Sequence, residues 1–167
     1  SIGQMISVAI IKGARVDRVE VRRANGHCAT FDVPKKGPLP HDGVHHAVES
    51  VMGLRHAFWG RITAGENPDR IQEIAAAGGH PSASRAGRPD DDIREMLQAE
   101  RLVECIEAEV WGGVGDLQTF LSVYAAACAQ SGVAPLDLTD RQLQLIRSRI
   151  AILKAAWSSG RYEFDFG

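Results

Sequence analysis

Between Pro40 and Glu49 the chain carries His41, His45 and His46 with Asp42 and Glu49, three imidazoles and two carboxylates in ten residues. His41 and His45 are four apart, so on a helix they stand one turn above each other on one face. That is the spacing with which a single helix offers two nitrogens to one divalent metal ion. His46 falls about 100° further round and faces another surface. Glu49 starts about 12 Å from His41 along such a helix. The segment is therefore expected to give two ligands. Glu49 is either a ligand paired with His45 or a group that orients an imidazole.

The remaining ligands must come from elsewhere, and the stretch from Asp92 to Trp111 offers them. At 100° per residue Glu100, Glu104 and Glu107 lie within about 60° of one another. Ile93, Met96, Leu97, Val103, Val110 and Trp111 fall on or beside the same arc, while Arg94, Gln98, Arg101 and Glu109 lie opposite. The acidic stripe thus points toward the core, where a carboxylate needs a proton or a partner. Carboxylates of one helix meeting histidines of another is how helical bundles build divalent metal sites. Glu104 is the first choice of ligand and Glu107 the second. The plainer alternative pairs the stripe with arginines such as Arg55 and Arg61 and leaves His45 bonded to a backbone carbonyl.

The elements that must position these residues are legible from pattern. Met5–Ile11 is an apolar run, Val16–Arg22 alternates with period two, and Asn25-Gly26 turns the chain into Cys28–Val33. Pro34 to Pro40 forms an extended connector. Helices are expected over 41–52, 54–64, 68–77, 92–111, 116–131 and 139–158. A loop is expected over 78–89, mobile by composition, and Asp90, Asp91 and Asp92 would cap the helix after it. Gly43 is a poor interior helix residue and suggests an irregular first turn. Arg161–Phe166 alternates aromatic and charged residues and would return to the N-terminal sheet with Tyr162, Phe164 and Phe166 inward. The expected class is α+β: one domain over 1–167, with strands in 5–33, helices in 41–158, and a closing strand at 161–166. Its small antiparallel sheet would pack against five to six helices.

Bulk properties narrow the function classes. The 167 residues carry a formal net charge of −2, so no basic field invites nucleic acid. No apolar run approaches the roughly 20 residues that cross a bilayer, so no membrane role is expected. Cys28, Cys105 and Cys128 form no C-x-x-C pair, which fits a reducing, cytoplasmic setting. Gly112-Gly113-Val114-Gly115 follows a helix rather than a strand and is no dinucleotide fingerprint. There is no phosphate loop and no G-x-S-x-G elbow.

Leu39-Pro40-His41-Asp42 through Val48-Glu49, with Gly53-Leu54-Arg55 and Phe58-Trp59-Gly60, resembles a bacterial family of uncharacterised proteins, a resemblance that brings no activity with it. His41-Asp42-Gly43-Val44-His45 is similar to the zincin motif H-E-x-x-H with a shorter acid. That similarity implies Asp42 as the catalytic group, the general base acting on metal-bound water. The core is also similar to the metal motif of the ubiquinone-biosynthesis scaffold family. That family's glutamate would fall at position 57, which is Ala57 here, and its layout lacks the leading strands. The resulting expectation is a cytoplasmic protein binding one divalent metal, zinc first, with manganese, iron or nickel as alternatives. The leading function is metal-assisted hydrolysis of a small molecule. Its rivals are a structural metal or buried charge network, and a helical interaction module; self-association stays open.

Overall fold

Period-two alternation builds the sheet. In the computed structural model, which describes residues 4–78 and 91–167, β1 (Ile6–Ile11), β2 (Val16–Arg22), β3 (Cys28–Pro34) and β4 (Arg161–Phe166) form one antiparallel sheet of order β3-β2-β1-β4. The register aligns the inward residues in rows. Val21 faces Val8, which faces Phe164; Val19 faces Ile10, which faces Tyr162. Such cross-strand apolar pairs fix the register, because a one-residue slip would turn the whole set to solvent.

Six helices among the described residues make the other layer: α1 (His41–Met52), α2 (Phe58–Thr63), α3 (Pro68–Gly78), α4 (Asp91–Gly112), α5 (Leu117–Gln130) and α6 (Asp140–Trp157). The protein is α+β. Thr139 and Gln142 close a capping box at the start of α6, and Asp116 accepts from the Thr119 amide at the start of α5. The expected loop over 78–89 and the capping role of Asp90 to Asp92 lie outside the described residues and side chains, apart from Gly78, which ends α3.

One expected boundary changes. The helix foreseen over 54–64 begins only at Phe58. Gly53 ends α1 in the left-handed conformation at φ 67°, and the turn after it is pinned by Glu95, whose Oε1 accepts from the Arg55 and His56 amides at 2.8 and 2.7 Å. Four residues are thereby spent reversing the chain rather than extending a helix.

α1 is the centre of the molecule. It packs against α2, α4, α6 and β4, and Asp42 through Glu49 are all buried. Gly43 answers to this packing: a Cβ there would stand 2.9 Å from a Leu153 methyl of α6 and 3.1 Å from Pro40. The glycine in the first turn therefore allows a close helix approach. A helix enclosed on every side is ordinarily apolar throughout. This one buries Asp42, His45, His46 and Glu49, and each must find a partner or carry a cost.

Candidate metal centre

α1 and α4 lie side by side, which brings the two sequence anomalies together. His41 Nε2 lies 3.0 Å from Glu100 Oε1, and His45 Nε2 lies 2.8 Å from Glu100 Oε2. One carboxylate thus spans both rings. The opposite nitrogens are also engaged, His41 Nδ1 with Glu107 at 3.0 Å and His45 Nδ1 with Glu49 at 2.9 Å. His41, His45 and Glu100 each present a ligand atom within 4.8 Å of the others, close enough to hold a metal ion.

Glu49 is 0% exposed, and its carboxylate is the hinge of the local structure. Oε1 accepts from the Trp59 amide at 2.8 Å, and Oε2 accepts from the Phe58 amide at 3.1 Å as well as meeting His45. A buried carboxyl group thereby sits at the start of α2, where unpaired amides point. The Trp59 indole in turn donates to the Asp42 carbonyl at 2.8 Å, tying α2 to the first turn of α1.

The charges in this cluster support one another. Burial disfavours a charged His45, but Glu100 and Glu49 outweigh it and hold its pKa well above the usual imidazole range. His41 is raised in the same way by Glu100 and Glu107 against its burial. Burial would lift the Glu100 carboxyl, yet His45 and His41 hold it well below the ordinary range. Burial raises Glu49, and its bonds from His45, Trp59 and Phe58 pull it back. Asp42 is also raised by burial, only partly offset by His45, His41 and Lys36. Its Oδ2 is buried without a partner among the described residues.

The group opens on a cleft of about 440 Å³ that His41, Asp42, His45 and Glu100 line together with Phe58, Met96 and Arg101. Of the expected ligands, His41 and His45 come together as a pair. Glu49 and Glu107 touch the imidazoles from behind, at the nitrogens turned away from Glu100. Glu104 does not join: its side chain is 48% exposed and pairs with Arg101 at 3.2 Å. Trp111, assigned to the apolar arc, is 76% exposed. No arginine pairs with Glu100 or Glu107 among the described residues; the arginine partner within the stripe is Arg101 for Glu104, and Arg61 pairs with Glu66.

Glu100 is the residue that sequence reasoning passed over as a ligand. A local signal existed. Glu104 has Arg101 three residues before it, whereas Glu100 and Glu107 have no basic residue three or four positions away. The two acids without a helical partner are the two that meet His41.

Fold and site together define an α+β protein with a two-histidine, one-glutamate group sized for a metal ion. No protein-family model matches the chain, and no curated protein or solved structure matches it. Among the described residues no helix is long and apolar enough to cross a membrane.

Proposed function

We infer that His41, His45 and Glu100 bind one divalent transition-metal ion and that the protein is a metal-dependent hydrolase. The observation that carries this reading is the orientation of the rings. Both turn Nε2 toward Glu100 and Nδ1 toward a separate carboxylate, Glu107 or Glu49. Metal-binding histidines are fixed in this way, the second nitrogen donating to a carboxylate that sets the tautomer and sharpens the ring's basicity. Charge accounting supports it: one dication in place of two imidazole protons leaves the net charge of the cluster unchanged.

Three protein ligands leave a fourth position free, which is the pattern of catalytic rather than structural zinc. Mixed imidazole and carboxylate ligation favours zinc, with manganese, iron or nickel as alternatives. A bound ion would supply an acidified water at neutral pH. Asp42, which lines the same cleft, would be the residue to take up a proton there. Its place on the cleft beside His41 and His45, with Oδ2 unpartnered among the described residues, is what supports that role.

A second reading has its own support, since all four imidazole nitrogens already have carboxylate partners without an ion. In that case the cluster is a structural charge network. Elemental analysis after zinc loading and dialysis separates the two. The hydrolase reading expects about one ion per chain, lost in a His41→Ala/His45→Ala double variant, and zinc-dependent turnover in a screen of esters, amides and phosphoesters. Absence of bound metal in the wild type leaves the charge network standing and removes the hydrolase.

A further inference from the structure

The cleft beside the metal group carries features that metal binding does not use. Arg101 and Lys36 both line it, together with apolar surface from Phe58, Ile71 and Met96. Lys36 also borders a smaller recess beside Pro40, His41 and Asp42. It is exposed and enters no ion pair among the described residues. Among the described residues Arg101 has one ion pair, with the exposed Glu104 at 3.2 Å, and its buried Nε has no hydrogen-bond partner. A buried N–H left unsatisfied is costly, and a solvent-facing ion pair is weak. Such a guanidinium gains by exchanging its surface partner for an oxyanion that can meet two of its N–H groups at once. The volume, about 440 Å³, belongs to the range of small-molecule sites rather than polymer grooves.

We propose that the cleft takes a small anionic molecule, a carboxylate or phosphate monoester with an apolar body, whose oxyanion is held by Arg101 with Lys36. The body rests on Phe58, Ile71 and Met96, which brings the rest of the molecule beside His41 and His45. The inference rests on the metal reading for what the bound molecule would meet beside His41 and His45, while its anion contacts come from Arg101 and Lys36.

Zinc content and probe binding, measured on the same preparations by elemental analysis and calorimetry, test the two separately. The probes are phenylacetate, benzylphosphonate in place of a phosphate monoester, and neutral phenylacetamide. In the zinc-loaded protein both anions, or the better of them, should bind about tenfold or more tightly than the amide. Arg101→Gln should weaken the anions about tenfold and Lys36→Gln about threefold, with zinc content and amide binding unchanged. The tighter anion identifies the class. Equal binding of all three probes overturns the proposal while the metal reading survives. So does anion affinity indifferent to Arg101→Gln, since the ion alone would then hold the anion. Should Arg101→Gln fail to fold, the exposed Lys36→Gln decides, and unchanged affinity there counts against the proposal. If the protein takes up no zinc, Arg101-dependent anion binding in the metal-free protein would keep the anion site and remove the hydrolase. No such binding removes both.

Discussion

His45 and His46 are neighbours in the chain and opposites in their surroundings. His45 stands between two carboxylates, Glu100 and Glu49, which favour its charged form. His46, one position on, stacks on Phe164 with ring centroids 3.8 Å apart and lies 2.7 Å from the Tyr162 hydroxyl. Burial there, with Arg149 adding to it, lowers its pKa to about 4. A rotation of about 100° separates a proton-holding, ligand-competent imidazole from a neutral core ring. The difference teaches that the role of a histidine is set by which neighbouring element its face meets, α4 for one and β4 for the other.

The comparison breaks most severely at Glu49, which holds His45 and the start of α2 at once. Glu49→Ala leaves three buried donors without an acceptor, and a loss of about 3–5 kcal/mol is expected in chemical denaturation. A loss below about 1 kcal/mol would show that the carboxylate is not what holds α2 in place.

Next in size is metal affinity. Glu100→Gln should weaken zinc binding about a hundredfold or more, while His46→Asn leaves it within about threefold, as competition with a chromogenic chelator would read. Equal losses in the two variants would erase the distinction between the faces.

The distinction should also appear as opposite pH slopes in the metal-free protein. His46 has its folded pKa below the unfolded value, so its contribution is complete above about pH 6.5 and is lost as pH falls toward 4. The part lost between pH 7 and 5 is about 1–2 kcal/mol. His45 has its folded pKa raised, so its contribution is present below the unfolded value and is lost as pH rises through the folded one. Denaturant midpoints across pH 5–9 for wild type, His45→Ala and His46→Asn should show each variant flattening a different side of the curve. The same side flattening in both would refute the assignment.

The smallest effects sharpen the boundary of the charged face. Glu107→Gln keeps the size but weakens the carboxylate behind His41, and about a tenfold loss of zinc affinity is expected. Glu104→Ala, three residues away and facing solvent, should leave zinc affinity unchanged and stability within about 0.5 kcal/mol. A Glu104 variant that lost metal would move the site along α4.

How far these features were legible follows from what a sequence encodes locally. The strands announced themselves in Val16–Arg22 and in the aromatic alternation of Arg161–Phe166, and the histidine pair in its spacing of four. The α+β layout followed from them. Glu100 and Glu104 could not be ranked by angle, because they differ little around the helix but by about 6 Å along it. Which of them stands opposite His41 depends on how α4 slides against α1, and no local pattern carries that. The meeting of Glu49 with His45 was legible from their spacing, but its hold on α2 was hidden for a related reason: its backbone partners are Phe58 and Trp59, and the turn that returns them to it is fixed by Glu95 from a third element.

The pairing of β1 with β4 has a consequence in time. Ser7 and Asp165 are bonded across 158 residues of chain, so the sheet is completed only when β4 has left the ribosome. Contacts that distant are slow to form, since the loop must close before it is rewarded. Until then His46 lacks Tyr162, Phe164 and Phe166, and α1 has only α2, α4 and α6 among its main neighbours. The sheet side of α1 is therefore covered late, and full support for the helix that carries His41 and His45 waits on β4.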